Sequence, residues 1–483
     1  MTTALIDEAT ESLVISGDGV RPAGADLIGP RARVAARITG GGKTWKATFP
    51  LRAARWGGPE LPLPAGDYEL RIGGADLDGL DLDGLVIAPT VLSGVRLAVS
   101  GATVHIGAPV DPVYETPEGQ STLEERYVAQ AGGTENAVFF ESFYGRSVGC
   151  NPQAIDRALA AEAPGVRRYW SVVDLSVVVP DGAVAVVEGS PEWWRARAAA
   201  RLLVVNDWLR RRFARKTGQK VLQTWHGTPL KRLALHRPGF DPRRMAAVIK
   251  ESRRWDVLLA QNSYSERILR KAYAFFGRPI WVEGYPRNDA LVTGDPASIR
   301  SALGITAGER VLLYAPTWRD DRAEMVDFVD PAELARAADA VILVRGHSRT
   351  IDTGRDRSGA RVIDVTGFPE TAQLLLAADA LITDYSSVMF DFSVTGKPMY
   401  FLVPDLDHYR GKLRGFYFDL AARAPGPLVR NQDELVAALG DAGHEKRYAS
   451  RYAAWRAQFN TRDDGRAAER VVARILDQGY VTR

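Results

Sequence analysis

The sequence predicts an α/β protein with two consecutive doubly wound halves and an added all-β region at its N-terminus. From about residue 136 onward, short apolar runs typical of buried strands alternate with helical patterns, which indicates parallel sheets flanked by helices. Near residue 309 the same alternation starts again, so we expect two Rossmann-like halves. Such halves place a ligand cleft between them, at the carboxyl ends of both sheets.

The domain organisation follows from changes in this pattern along the 483 residues, which are too many for one ordinary domain. The N-terminal region shows short alternating runs separated by Gly-, Pro- and Asp-rich turns, the signature of a small antiparallel β-sandwich or barrel. A polar stretch that we expect to begin with irregular structure follows it. The predicted segments are a β-sandwich-like accessory domain (1–110), a linker (111–135), an N-terminal Rossmann-like domain (136–300), a C-terminal Rossmann-like domain (301–440) and C-terminal helices (441–483).

The composition indicates a soluble protein from a reducing compartment. Hydrophobic residues make up 46% of the chain and charged residues 25%, which is ordinary for a globular protein. The single cysteine, Cys150, excludes a disulfide framework or a cysteine-rich metal site. The N-terminus carries acidic residues and no long apolar core, so it does not predict a secretory signal, and no window approaches a membrane-spanning length of apolar residues. We expect a cytoplasmic protein, or one held on a membrane from the cytoplasmic side.

Basic residues are concentrated in one part of the chain, although the net charge is only +3. Residues 207–254 hold fourteen Lys and Arg against three Asp and Glu. Apolar residues such as Trp208, Phe213 and Met245 are interspersed among them. A run of charges is usually a solvated helix face. With the interspersed apolar residues, this mixture fits an interfacial helix on anionic lipid as well as a core-packed helix, so these interpretations stay open.

The most informative stretch is residues 378–398, which predicts a strand that runs directly into a helix. Residues 380–383 are an apolar strand, residues 384–387 (D-Y-S-S) a polar turn, and a helix is expected over residues 388–395. Gly396 and Pro398 supply the signals that end a helix. Two serines at a helix start can cap it, and the free backbone N–H groups there favour an anion.

Two of the six histidines stand immediately after predicted strands, where parallel sheets place functional loops. His226 lies in Q-T-W-H-G-T-P-L-K-R and His347 in L-V-R-G-H-S-R. A neutral imidazole is a natural base for taking a proton from an alcohol. No Cys, His or carboxylate spacing suggests a metal centre, so the sequence requires neither a divalent metal nor a cofactor bound for the fold.

Several of the remaining candidate residues have phosphate-binding character. Cations and helix N-termini can neutralise a diphosphate leaving group without a metal. Ser386 and Ser387 lack a G-x-S-x-G frame, which disfavours a nucleophile of the hydrolase type. The cationic candidates are Lys231, Arg319, Arg345 and Arg349.

Five motifs in order along the chain resemble the CDP-glycerol glycerophosphotransferases. These are Q-T-W-H-G-T-P-L-K (223–231), G-Y-P-R-N-D (284–289), Y-A-P-T-W-R-D (314–320), R-G-H (345–347) and T-D-Y-S-S-V-M-F-D (383–391). The resemblance covers roughly residues 136–440 and leaves the N-terminal β region outside. It implies a GT-B fold, with the first Rossmann-like domain on the acceptor side and the second binding a CDP donor. It also implies transfer of glycerol phosphate from CDP-glycerol to a polymer hydroxyl with release of CMP, on the cytoplasmic face of the membrane.

The resemblance also implies roles for individual residues. His226 resembles the base that faces the acceptor hydroxyl, and His347 the group that holds the donor phosphates, although Ser348 after it departs from the pattern expected in relatives. Ser386 and Ser387 would hold the diphosphate, and Asp391 could reach the ribose. The implied donor-binding set is Lys231, Arg319, Arg345, Arg349, Thr366, Asp384, Ser386, Ser387 and Asp391, and the acceptor-side set is Gly227, Thr228, Arg287 and Asn288.

Other functions remain open from the sequence. The donor could be CDP-ribitol, or the protein could be a GT-B glycosyltransferase that uses a CMP- or UDP-sugar, because the cleft chemistry is nearly the same. A non-catalytic protein that binds a polyanion or a membrane is a further alternative. The expected partners are a CDP-alditol donor, a polyol-phosphate or lipid-linked acceptor and an anionic membrane surface, with no nucleic acid.

Overall fold

The computed structural model of the chain describes residues 2–41, 43–73, 82–92, 94–130, 132–317, 328–346, 361–406 and 415–483. The described strands form two antiparallel sheets near the N-terminus, two parallel sheets in the rest of the chain and one small hairpin.

Antiparallel strands occupy the N-terminal region, which we call the β region (residues 2–107). The strands pair in the orders β1-β2-β6-β5 and β10-β11-β12-β9-β3-β4, and β7 pairs with β8. They are β1 (Thr3–Asp7), β2 (Ser12–Asp18), β3 (Gly24–Ile28), β4 (Arg33–Ala35), β5 (Arg37–Gly41), β6 (Thr44–Pro50), β7 (Arg52–Ala54), β8 (Glu60–Pro62), β9 (Gly66–Gly73), β10 (Val86–Leu92), β11 (Val95–Ser100) and β12 (Thr103–Gly107).

Alternation along these strands builds one apolar core between the two sheets. In β6 the side chains of Trp45, Ala47 and Phe49 are buried, whereas Thr44 and Lys46 between and beside them are exposed. These three buried residues belong to one cluster with buried residues of the second sheet. The two sheets therefore pack face to face.

The segment expected to be a linker contains regular structure. A 3-10 turn at Pro112–Glu115 leads into α1 (Pro117–Ala129), whose first residue is proline and whose start is capped by the Thr116 hydroxyl. Tyr127 on α1 is buried against the core of the first parallel sheet. The polar composition of this segment therefore did not indicate α1, which packs on the core of the first parallel sheet.

The first α/β unit contains a seven-stranded parallel sheet in the order β15-β14-β13-β16-β17-β18-β19. In order of appearance the strands stand 3-2-1-4-5-6-7, the Rossmann arrangement. Its elements are β13 (Glu135–Glu141), α2 (Cys150–Glu162), β14 (Arg167–Val172), β15 (Val184–Val187), α3 (Pro191–Ala199), β16 (Ala200–Val205), β17 (Lys220–Gln223), α4 (Pro242–Ser252), β18 (Val257–Ala260), α5 (Ser263–Ala272) and β19 (Ile280–Val282).

The second α/β unit repeats this arrangement with six parallel strands in the order β22-β21-β20-β23-β24-β25. Two short helices, α6 (Asp289–Thr293) and α7 (Pro296–Ala302), lead into it. Its elements are β20 (Val311–Ala315), α8 (Pro331–Ala337), β21 (Val341–Val344), β22 (Val362–Asp364), α9 (Thr371–Ala377), β23 (Ala380–Thr383), α10 (Val388–Phe392), β24 (Met399–Leu402), α11 (Leu420–Arg423), β25 (Leu428–Val429) and α12 (Gln432–Leu439). The prediction of two Rossmann-like halves is confirmed.

The strand-to-helix stretch has the structure that its sequence predicts. β23 covers the four apolar residues, and α10 follows after the polar turn and continues as a 3-10 turn at Ser393–Thr395. Gly396 then adopts a left-handed conformation with φ of 75°, which ends the helix.

Two C-terminal helices join the two units. Trp455 and Phe459 of α13 (His444–Phe459) lie in the apolar core of the second unit. Val471 and Ile475 of α14 (Ala467–Asp477) lie in the core of the first. The chain thus returns to the first unit at its end. No helix in the described parts of the chain is both long enough and apolar enough to cross a membrane.

Candidate active site

The candidate site lies where loops at the carboxyl ends of the two parallel sheets approach each other. Each sheet has a switch point at which its first strand lies beside its fourth, β13 beside β16 in the first unit and β20 beside β23 in the second. Ligands bind at such points in open α/β sheets. Asn206 follows β16, His226 follows β17, and the D-Y-S-S turn follows β23.

His226 is held in one defined tautomer. Its Nδ1 lies 2.7 Å from the backbone carbonyl oxygen of Asn206. A carbonyl oxygen only accepts hydrogen bonds, so Nδ1 carries the proton and donates it. In the neutral imidazole Nε2 is therefore left with its lone pair, ready to accept a proton.

Aromatic side chains fix the plane of the His226 ring. Trp225 stacks on it with ring centroids 4.8 Å apart, and Phe143 approaches edge-on at 5.7 Å. Trp225 and Phe143 both adopt positive φ, 54° and 47°, a strained conformation for aromatic residues. Such strain persists only where the surrounding structure holds it in place.

Buried amide side chains supply that support. Gln223 accepts a hydrogen bond from the Trp225 backbone N–H at 2.9 Å, and the buried Asn151 donates to the Trp225 carbonyl at 3.1 Å. Asn206 accepts from the Phe143 backbone N–H at 2.8 Å. Asn151, Asn206 and Gln223 were not predicted from the sequence. The available signal was that each is a polar residue at the end of an apolar strand or the start of a helix.

The loop that carries His226, which we call the base loop after its predicted role, is in direct contact with the Ser-Ser turn of the other unit. A Cβ atom added to Gly227 would lie 2.6 Å from Ser387 Oγ and 2.9 Å from Ser387 Cβ. Only glycine at this position allows so close an approach. The residue after His226 thus lies against the start of α10, and the structure brings these two sequence-predicted features together.

The chain matches a known protein family over most of its length. The family described as CDP-glycerol:poly(glycerophosphate) glycerophosphotransferase matches residues 126–477. The chain belongs to this family. Its β region up to residue 107 lies outside the match. The resemblance to this family that the motifs indicate is therefore confirmed.

Two teichoic acid proteins are each similar to about 70% of the chain. A teichoic acid glycerol-phosphate transferase of Staphylococcus aureus is 34% identical over 379 residues, 71% of this chain and 93% of that protein. A teichoic acid poly(glycerol phosphate) polymerase of Bacillus subtilis is 35% identical over 363 residues, 70% of this chain. The match spans only 48% of that polymerase, about half its length.

The solved structure of the wall teichoic acid polymerase TagF superposes on this chain with a TM-score of 0.70. The two share 31% identity over 75% of this chain and 94% of that one. Together with the two parallel sheets, this similarity establishes an α/β fold of the GT-B kind.

Arg287 and Asp391 form an ion pair between the first and second α/β units. Arg287 Nη2 donates to Asp391 Oδ2 at 2.7 Å, and both side chains are largely buried. Arg287 Nη1 also donates to the His226 carbonyl at 3.1 Å and to Cys150 Sγ at 2.9 Å. Burial opposes the charge of the guanidinium, but the adjacent Asp391 outweighs it and raises the pKa of Arg287 above its ordinary value. Asp391, the carboxylate expected to reach a ribose, is thus paired with Arg287, which was predicted for the acceptor side.

The Asp384 carboxylate accepts hydrogen bonds from neighbouring groups of the protein. The Thr317 hydroxyl donates to its Oδ1 at 2.6 Å, and the Thr317 and Tyr385 backbone N–H groups donate to the same carboxylate. The side chain is 2% exposed. It joins the loop after β20 to the turn after β23 and leaves Ser386 and Ser387, both half-buried, as the polar groups of this turn that lie closest to solvent.

Arg345 and Thr366 shape a neighbouring loop. Arg345 Nη1 donates to the carbonyls of Val365 and Phe368 at 3.1 and 3.0 Å, and Thr366 Oγ1 accepts from the Gly346 N–H at 2.9 Å. Burial lowers the pKa of Arg345 to about 10, against the opposing influence of Asp364.

The other residues predicted for the acceptor side point into the protein. The Thr228 hydroxyl is buried and donates to Gln261 Oε1 at 2.5 Å, and Asn288 donates to Asp463 at 3.3 Å. Lys231 pairs through its backbone with Phe416 of the second unit. The predicted residues His347, Arg349 and Arg319 lie outside the described residues. Within the described ranges, no group of three or more His, Cys, Asp and Glu side chains is placed as a set of metal ligands.

Proposed function

We propose that this protein transfers glycerol phosphate from CDP-glycerol to a hydroxyl group of a lipid-linked or polymeric acceptor, with release of CMP, in the synthesis of a teichoic-acid-type polymer. One observation carries the proposal. His226 has Nε2 available as a proton acceptor, and the loop that holds it lies against the Ser386-Ser387 turn of the opposite unit. Family membership and the glycerol-phosphate relatives support the choice of donor.

In the proposed reaction, an acceptor hydroxyl oxygen attacks the phosphorus that carries the glycerol. The new P–O bond joins acceptor and glycerol phosphate, and the bond to the bridging oxygen breaks, so that CMP leaves. His226 Nε2 takes the hydroxyl proton, while the Nδ1–H bond to Asn206 holds the ring in place and stabilises the imidazolium that forms. General-base assistance of this kind is typically worth about 10²- to 10⁴-fold in rate.

The donor phosphates would lie beside Ser386 and Ser387. Their hydroxyl groups, both half-buried, can donate hydrogen bonds to phosphate oxygens. Neither serine is proposed as a nucleophile. Arg345 supports this side of the cleft through the loop after β22.

Release of CMP tests the proposed donor directly. The protein is incubated with a lipid-linked glycerol-phosphate primer and with CDP-glycerol, CDP-ribitol, CMP-sialic acid or a UDP-sugar. We expect CMP from CDP-glycerol in preference to the others, and a rise in melting temperature with the same ligand because it binds the folded state. Transfer from CDP-ribitol or a nucleotide sugar alone would reject the glycerol assignment, and a protein that binds but never turns over would favour the non-catalytic alternative.

We propose the domain roles that the sequence suggests. Residues 136–300 would bind the acceptor because they carry His226, and residues 301–440 would bind the CDP donor because they carry the Ser-Ser turn. Residues 1–110 would be an accessory domain and 441–483 the helices that link the two units.

We further propose that the protein docks on anionic membrane through the loop that precedes α4. Phe240 in this loop is 85% exposed, and Arg237 and Arg243 beside it are exposed as well. Arg244 Nη2 donates to the Gly239 carbonyl at 2.6 Å, which holds the loop in shape. An exposed aromatic ring among arginines suits the interface of an anionic bilayer.

The loop also lies near the cleft, since His236 Nδ1 is 2.7 Å from the Tyr417 hydroxyl of the second unit. Docking there would bring a lipid-linked acceptor close to His226. Flotation with vesicles of anionic or neutral lipid tests this surface. We expect Phe240→Ala to reduce binding to anionic vesicles several-fold. Phe276→Ala, which removes a ring that is 62% exposed elsewhere, serves as the control. Equal loss in both variants, or equal binding to both lipids, would contradict the proposal.

A further inference from the structure

The β region contacts both α/β units, and one of its aromatic side chains packs on the second unit. Trp56 lies at the tip of the β7–β8 hairpin. Its ring stands edge-on to Phe368 with centroids 5.5 Å apart and an interplanar angle of 65°. Trp56 packs against the apolar core cluster of the second unit, to which the buried Phe368 belongs. A residue of the β region thus completes the packing of a different unit.

The contacted segment is the donor-side loop, which we define as residues 365–370. The carbonyls of Val365 and Phe368 in this loop accept both Arg345 hydrogen bonds, and Thr366 accepts from the Gly346 N–H. The position of the loop therefore sets the positions of Arg345 and Gly346 at the end of β21. Both stand at the carboxyl edge of the sheet, on the side where the proposed donor phosphates lie.

The same loop is attached to the first unit. Glu370 forms a two-point ion pair with Arg157 of α2, with N–O distances of 2.6 and 3.4 Å. The Pro369 carbonyl lies 3.5 Å from where a Cβ of Gly149 would stand, just before α2. The donor-side loop is therefore held from its own unit by Arg345 and from across the cleft by α2.

The hairpin that carries Trp56 is itself fixed to the first unit. Arg31 pairs with Asp174 in the loop after β14, and the Ala65 N–H donates to the same carboxylate at 3.0 Å. Arg55, next to Trp56, donates to the Ser176 carbonyl at 3.1 Å. Trp56 has a φ of 56°, a conformation that costs energy outside glycine and persists where contacts hold it. The hairpin thus connects the first unit to the donor-side loop of the second.

We propose that Trp56 is a positioning residue for donor binding, and that the β region serves to hold the donor-side loop against the cleft. This role rests on the proposed use of CDP-glycerol. Trp56 acts through Phe368 and the loop, so its removal leaves the base loop of His226 intact. Removal of the Trp56 ring should therefore weaken donor binding. Acceptor binding and the rate of the chemical step should stay nearly unchanged.

The test compares Trp56→Ala with Trp56→Phe, which keeps an aromatic ring, and with Leu5→Ala, which truncates an exposed side chain of the same region. We expect the KM for CDP-glycerol to rise about tenfold in Trp56→Ala, the effect of losing one good packing contact, with kcat and the acceptor KM within about twofold of the parent. Trp56→Phe should recover most of the donor KM, and Leu5→Ala should not change it.

Hydrogen exchange gives a second measurement that needs no substrate. The Val365 and Phe368 backbone N–H groups are bonded to Val344 and Val365 carbonyls, at 2.8 and 3.0 Å. We expect peptides that cover the donor-side loop to exchange faster in Trp56→Ala than in the parent, Trp56→Phe and Leu5→Ala. Unchanged exchange in Trp56→Ala, or a donor KM within twofold of the parent, would overturn the proposal. If the parent itself releases no CMP, the proposed function fails, and the exchange experiment alone decides the role of Trp56.

Discussion

Replacing Gly227 by alanine tests whether the two units meet as closely as the structure shows. The new methyl group would stand 2.9 Å from Ser387 Cβ and 2.6 Å from Ser387 Oγ. The hydroxyl can rotate away, but Cβ cannot. Ordinary contact begins at 3.4 Å, so the base loop and the serine turn must separate by about 0.5 Å. The φ of Gly227 lies outside the left-handed region, so the cost is steric alone.

The size of the effect follows from this separation. Overpacking a close contact costs about 1–3 kcal/mol of unfolding free energy, which denaturant titration measures. A displacement of 1 Å between reacting groups costs on the order of 100-fold in rate, so about 0.5 Å should reduce kcat for CMP release roughly tenfold. Gly165→Ala is the matched control, because nothing lies within 4 Å of a Cβ at that position.

A double-mutant cycle separates the clash from other effects. Ser387→Gly removes both atoms that the new methyl group would strike. The unfolding free energy of the double variant should therefore exceed the additive expectation by about 1–3 kcal/mol. Gly227→Ala with unchanged stability and turnover, or a double variant that behaves additively, would refute the close approach.

Two further predictions concern buried charges. Asp391→Asn leaves the Arg287 guanidinium without its carboxylate, and we expect a loss of about 3–5 kcal/mol of unfolding free energy. Glu69→Gln, which breaks an exposed pair with Arg71, should leave the unfolding free energy nearly unchanged, and equal losses in the two variants would contradict the burial of the first pair. The second prediction concerns Asp463, because burial raises the pKa of its carboxyl group to about 6 from an ordinary 3.8. A raised pKa stabilises the folded state fully below pH 4, and this contribution is lost as the pH rises through about 6. The unfolding free energy of the parent minus that of Asp463→Asn should therefore fall by up to about 3 kcal/mol between pH 4 and pH 7, and a constant difference would contradict the prediction.

Local signals in the sequence predicted the elements that carry the site. β23 and the helix after it follow from an apolar run, a polar turn and Gly396, all within one short stretch. His226 was found because it ends an apolar strand, and strand ends are where parallel sheets place their loops. The proposed base and the Ser-Ser turn therefore required only local pattern and the repetition of the Rossmann arrangement.

Contacts between distant residues could not be predicted in this way. Arg287 and Asp391 are 104 residues apart, and only the folded chain shows that each neutralises the other. The motif predicts Asp384 as a donor-binding carboxylate, but in the structure its oxygens accept hydrogen bonds from the Thr317 hydroxyl and from two backbone N–H groups. A motif gives the type of residue at a strand end, whereas tertiary contacts decide whether its polar atoms face a ligand or the protein.

The role of Asn206 illustrates the same limit. Its backbone carbonyl sets the His226 tautomer, and a backbone atom has no signature in the residue type. The helix α1 was missed because its packing residues, such as Leu123 and Tyr127, are spaced among many polar ones. Its Thr116-Pro117 start is a recognisable capping signal that the polar composition outweighed.

The most direct test of the proposed mechanism is CMP release from CDP-glycerol by the parent and by His226→Ala, in the presence of a lipid-linked glycerol-phosphate primer. We expect the parent to release CMP and the variant to do so about 10²- to 10⁴-fold more slowly, because Nε2 no longer takes the acceptor proton. Unfolding of the variant should match the parent, and His105→Ala, which alters an exposed histidine of the β region, should keep full turnover. Turnover of His226→Ala within a few-fold of the parent would contradict the assignment of His226 as the base.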